Sequence, residues 1–86
     1  LDFYFIQAME LTETKEIEIV LNGERRFVPA GLTVATLLTH LEIDAARVAV
    51  ELNRGIVRKV EWPTTPIEQL AQIEVVWFVG GGKTPA

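Results

Sequence analysis

The chain is 86 residues long, 49% hydrophobic, has a formal charge of −4 and contains no cysteine. At this length one domain is the natural unit, and the apolar content suffices for a core even though so small a chain buries only roughly 60–65% of its unfolded surface. The absence of cysteine excludes a disulfide framework, a thiolate metal site and a cysteine nucleophile; the acidic balance argues against nucleic acid; no apolar run approaches the ~20 residues of a membrane span. The single histidine, His40, has no ligand-spaced carboxylates around it and reads as a solvated surface residue rather than a metal ligand. A soluble, cytoplasmic protein with no bound cofactor, no nucleic-acid partner and no membrane partner is expected.

Residues 1–8, Leu-Asp-Phe-Tyr-Phe-Ile-Gln-Ala, precede the only methionine, Met9, and read as a leader outside the domain. Glu16 to Leu21 alternates with period 2, with Ile17, Ile19 and Leu21 on one face and Glu18 and Val20 on the other, which predicts a half-buried strand. Asn22-Gly23 follows, the pair that accepts the two positive φ angles of a type I′ hairpin turn, so Glu24 to Val28 is the returning strand. Thr33 is a candidate N-cap. Val34, Leu37, Leu38 and Leu41 follow at i, i+3, i+4, i+7 and predict a helix of about nine residues with one apolar stripe. Arg47 to Asn53 alternates again, placing Val48, Val50 and Leu52 together, and Asn53-Arg54-Gly55 turns the chain into a short strand at Ile56-Val57. Trp62-Pro63 and Thr65-Pro66 mark an irregular crossing, with one helical turn predicted at Pro66–Leu70. Ile73 to Val79 is the last and most apolar strand. Glu74, Val76 and Phe78 share one of its faces; Ile73, Val75 and Trp77 share the other.

The resulting order, β-β-α-β-β-β, predicts an α+β domain over residues 9–82: a mixed sheet of four to five strands with one main helix packed on one face, two layers around one core. The β-grasp (ubiquitin-like) fold has this order, with its last strand central and parallel to its first. The residues themselves carry a more specific likeness. Arg47-Val48-Ala49-Val50-Glu51-Leu52-Asn53-Arg54-Gly55-Ile56-Val57 resembles the third-strand signature of the ThiS family, the sulfur carriers of thiamine biosynthesis. Ile73-Glu74-Val75-Val76-Trp77-Phe78-Val79-Gly80-Gly81-Gly82 resembles that family's ending, and Ile19 to Glu24 its opening hairpin. The chain departs from the pattern at Arg58-Lys59-Val60-Glu61, where Pro-Arg-Ser is common, at Ala71-Gln72, where a Gly-Asp turn is usual, and at Trp77, where a more modest residue stands. The run Lys83-Thr84-Pro85-Ala86 continues past the glycines.

The resemblance implies a protein co-substrate rather than an enzyme, with no catalytic side chain of its own. The carboxylate of Gly82 is the expected reactive group. An adenylating (activating) enzyme couples it to AMP from ATP, which that partner uses. A sulfur donor enzyme supplies sulfur that displaces AMP to leave a thiocarboxylate, and a thiazole synthase consumes it. Gly80, Gly81 and Gly82 form the expected arm, since glycine lacks Cβ and accepts backbone conformations closed to other residues. Gly82 is in amide linkage to Lys83, so residues 83–86 are read as a tail removed by a trimming protease or as a cloning scar, with loss of the chemistry as the third explanation. The helix is expected to cover Ile17, Ile19, Val50 and Val75. The opposite face then offers Val20, Val76 and Phe78, rimmed by acids including Glu74, as a partner-docking patch. The alternatives are another carrier, such as the small subunit of molybdopterin synthase, which usually has Pro-Pro where Phe78-Val79 stands here, a ubiquitin-like protein modifier, or a binding module without terminal chemistry.

Overall fold

A computed structural model describes residues 15–79, and the leader, the three glycines and the tail lie outside the described residues. The elements are β1 (Glu16–Leu21), β2 (Glu24–Pro29), α1 (Val34–His40), β3 (Val48–Leu52), β4 (Gly55–Val57) and β5 (Gln72–Trp77), with 3-10 turns at Ala45–Arg47 and Lys59–Thr64. The five strands form one sheet in the order β2-β1-β5-β3-β4. β5 lies in the middle, parallel to β1 and antiparallel to β3. This is the β-grasp arrangement that the element order predicts.

Both hairpins turn on an asparagine. Asn22 and Gly23 have φ of 49° and 85°, and Asn53 and Arg54 have φ of 50° and 73°. Primed turns match the right-handed twist of the strands they join, and asparagine tolerates the left-handed region better than other side chains with a Cβ. Each asparagine side chain also reaches the central strand. Asn22 Oδ1 accepts from the Val75 N–H at 2.8 Å, while Asn53 Oδ1 accepts from the Gln72 N–H at 2.9 Å.

The helix begins where the sequence places it. Thr33 Oγ1 accepts from the Thr36 N–H at 3.2 Å, and Thr36 Oγ1 accepts from the Thr33 N–H at 2.7 Å, so two free donors of the first turn are satisfied reciprocally. It runs seven residues rather than nine. Glu42 takes φ of 60°, the Glu42 N–H donates to Thr39 O at 3.0 Å and the Ile43 N–H to Leu38 O at 2.9 Å, which closes the last turn in a Schellman motif. Val34, Leu37 and Leu38 are buried and Leu41 is half-buried against Ile19, Val50, Ile73 and Val75 of the sheet.

The crossing from β4 to β5 differs from expectation. The helical turn predicted at Pro66–Leu70 is absent; the 3-10 turn lies earlier, at Lys59–Thr64. Trp62 sets that position. Its ring is buried in the core and its Nε1–H donates to Val57 O at 2.9 Å, while Lys59 Nζ sits 5.6 Å from the ring centroid. Pro66 instead bridges to Thr33, and the Val34 N–H donates to Thr65 O at 2.9 Å, tying the crossing to the start of α1. Leu70 then takes φ of 67° as the chain turns into β5. The last strand also ends at Trp77, two residues short of the predicted Val79.

Candidate functional site: the end of the central strand and the open sheet face

Because β5 is central, its C-terminal end emerges from the middle of the sheet. The Phe78 N–H donates to Arg47 O at 2.9 Å, which holds the chain against the start of β3 for one residue beyond the strand. Val79 is the last described residue, and Gly80, Gly81 and Gly82 follow it in sequence outside the described residues.

The face opposite α1 is assembled by register. Glu18 pairs with Phe27 and Val20 with Arg25 across β1 and β2; Val20 stands beside Gln72; Ala49 pairs with Val76 and Glu51 with Glu74; Ile56 pairs with Glu51. All of these point away from the helix because strand side chains alternate. Val20 is half-buried, and Glu74, Val76 and Phe78 are exposed on this side. The four predicted docking residues therefore share a face, but they form a stripe and not a spot. Val20 is level with Gln72, so Phe78 lies six residues farther along β5, roughly 20 Å away at ~3.3 Å per residue.

The stripe has two ends of different chemistry. At one, Val20, Gly23, Glu51, Arg54, Gln72 and Glu74 line a hollow of about 310 Å³. Glu51 and Glu74 stand directly opposite each other, a like-charge pairing that destabilises a sheet. Among the described residues neither carboxylate has an ion-pair partner; the ion pairs there are Arg25–Glu18 at 2.5 Å and Arg47–Asp44 at 3.3 Å. At the other end, Phe78 joins Ala49, Ile56, Val57 and Trp62 along a groove of about 420 Å³ rimmed by Arg58 and Lys59. Ile56, 76% exposed, was missed by the sequence reading. The two-residue turn at Asn53-Arg54 fixes the register that puts Ile56 opposite Glu51, so the signal was present in the hairpin. Trp77 has the alternation of Ile73 and Val75 yet is 49% exposed, because β1 ends at Leu21, opposite Ile73, and leaves one side of Trp77 uncovered. Among the described residues no group of three or more His, Asp or Glu side chains could hold a metal ion, and no helix is long and apolar enough to cross a membrane.

The sequence model of the ThiS family matches residues 4–82, the whole described domain and the glycine run after it. The chain belongs to the ThiS family. Two solved structures of a thiamine biosynthesis protein (ThiS) from Geobacter metallireducens share its fold at 29% identity. The crystal structure has a TM-score of 0.68 over 77% of this chain and 100% of that one, and the solution structure 0.64 over 81% and 94%. A thiazole synthase of Paramagnetospirillum magneticum is 39% identical over 70 residues, 81% of this chain, and one of Magnetococcus marinus is 39% identical over 69. The chain spans only about a fifth of the length of these two, 22% and 21%. The ycf40 protein of Porphyra purpurea is 31% identical over 79% of this chain and 96% of its own length.

Proposed function

We propose that this ThiS-family chain is a sulfur carrier of thiamine biosynthesis and acts through the carboxylate of Gly82. The observation that carries this reading is the family match running through residue 82, which brings the three glycines inside the domain's family likeness. The placement of β5 supports it: the strand that leads to Val79 is the central one, paired with β1 at Gln72 and Ile73 and with β3 as far as Trp77. A carboxylate is a poor acyl donor. An activating enzyme therefore joins it to AMP, with pyrophosphate leaving ATP, and sulfur at the sulfide level attacks the carbonyl carbon as AMP departs. The thiocarboxylate then passes its sulfur to a thiazole synthase. That proteins named thiazole synthase contain a stretch similar to this chain fits a carrier that works beside a thiazole-forming enzyme. This chemistry asks the carrier for a reachable carbonyl and a docking surface, with the catalytic groups on the partners.

Gly82 is followed by Lys83, so its carboxylate exists only after that peptide bond is cut. Proline at residue 85 fixes φ and fits poorly in a channel shaped for glycine. A chain ending at Gly82 is expected to accept AMP and then sulfur, whereas the chain continuing through Ala86 accepts neither. The check is intact mass after incubation of both forms with the activating enzyme, ATP and a sulfur donor. Exchange of oxygen for sulfur on the Gly82 form alone agrees with the proposal. Equal modification of the longer form, or none on the shorter with an active enzyme, overturns it.

A further inference from the structure

β4 stops at Val57, opposite Val50, and the chain then leaves the sheet for the 3-10 turn at Lys59–Thr64. Val48 and Ala49, which begin β3, have no strand beside them on that side. The groove described above occupies the place that a longer β4 would fill. Ala49, Ile56, Val57 and Phe78 make its wall, and the only charged residues that line it are the cations Arg58 and Lys59. Among the described residues neither cation has an ion-pair partner. An extended segment that is apolar, aromatic and acidic fits this groove.

The chain itself supplies one. Residues 1–14 contain the run Phe3-Tyr4-Phe5-Ile6, with Asp2, Glu10 and Glu13 as their only charged side chains. The family likeness begins at residue 4, inside this run. The reach also fits. Lys15 lies five residues before Val20, which is level with Gln72, and Val57 is level with Val75, three residues beyond Gln72. Eight residues along the strands and three strand spacings across them amount to roughly 30 Å, about nine residues of extended chain. With Glu13-Thr14 spent on reversing direction, those nine residues end at Tyr4, so Phe3-Tyr4-Phe5 comes over Ile56, Val57 and Ala49 and Asp2 comes to the basic rim. The stretch that crosses the hollow of Glu51 and Glu74 on the way, Gln7-Ala8-Met9, carries no charge.

We infer that residues 2–6 of the chain fold back over the open sheet face and cover the groove of Ala49, Ile56 and Phe78, with Asp2 beside Arg58 and Lys59. The groove holds Phe78, one end of the predicted docking stripe, so the segment and a partner compete for it. The cover itself is independent of the carrier reading; only its competition with the activating enzyme rests on that reading.

The test uses nuclear magnetic resonance of the full 86-residue chain labelled with ¹⁵N. Phe3→Ser combined with Phe5→Ser is expected to shift the amide resonances of Ala49, Ile56, Val57 and Phe78 and to leave those of Arg25, Arg26 and Phe27 in place, at every protein concentration. Charge reversal at the rim, Arg58→Glu combined with Lys59→Glu, is expected to move the amides of residues 3–6 to the positions they hold in a free peptide of residues 1–14. Groove amides that do not move, or shifts confined to another face, overturn the inference. Shifts that fade on dilution assign the segment to the groove of a second copy and overturn it as well. In calorimetry with the activating enzyme, the Phe3→Ser, Phe5→Ser chain is expected to bind about tenfold more tightly than its parent, the factor for a groove covered nine-tenths of the time. Equal affinity beside clear groove shifts overturns the competition. Absence of binding by both chains overturns the carrier reading, and the resonances alone then decide the cover.

Discussion

At the residue scale, the two turn asparagines perform two tasks each. Asn22 accepts a left-handed backbone and its side chain replaces one step of β-ladder, bonding to both the N–H and the C=O of Val75. Asn22→Ala removes both contributions: about 1–2 kcal/mol for a Cβ residue in the left-handed region and about 1 kcal/mol for the lost hydrogen bonding. Asn22→Gly removes only the second. Urea denaturation is expected to show a loss of about 2–3 kcal/mol for the alanine variant and about 1 kcal/mol for the glycine variant. Equal losses would mean that the turn conformation carries no cost. The turn was legible in Asn22-Gly23, but the bond to Val75 was not, because the partner lies 53 residues away and no local pattern encodes a side chain acting as a strand. Leu70 was hidden for a related reason: nothing in Gln69-Leu70-Ala71 announces a positive φ, which follows from how the crossing must enter β5.

At the element scale, the helix is set by its cap and stripe, and the crossing by one tryptophan. Leu38 is 1% exposed at the centre of the helix–sheet contact. Leu38→Ala is expected to cost about 2–5 kcal/mol, the range for a buried leucine whose surroundings cannot collapse; an unmoved denaturation midpoint would contradict the packing. The strands and helix were legible because each has a single periodicity, two for β1 and β3, 3.6 for α1. Residues 58–71 have none. Trp62, Ile67 and Ala71 enter the core from a 3-10 turn and the loop after it, at spacings of five and four, so the sequence marks the prolines without revealing which side chains turn inward. The end of β5 was over-extended for a different reason: Val76 to Val79 is apolar enough to read as strand, but Phe78 makes only one bond, to Arg47, before the chain leaves the sheet.

At the scale of the whole molecule, the open face couples an apolar stripe to an acidic hollow. Phe78→Asp is expected to keep the fold, because the side chain lies outside the core and the backbone bond to Arg47 is unaffected. It is expected to weaken binding of the activating partner at least tenfold in calorimetry, since it removes an aromatic contact and buries a charge. Association is also expected to slow as salt rises, through Glu51 and Glu74. Equal affinity of variant and parent would remove this end of the stripe from the interface. The topology has a further outcome, for biogenesis. The strand in the middle of the sheet is the one that leaves the ribosome after all the others, so β1 and β3 have no common neighbour until residues 72–77 have emerged. The two hairpins form from local contacts, while their union waits for the longest-range pairing in the domain, the slowest kind to close. Premature termination anywhere before β5 therefore yields a chain that has neither a finished sheet nor the glycines beyond it. Completion of the sheet waits on the last strand to be made, and a product truncated before it keeps two hairpins that nothing joins into one sheet.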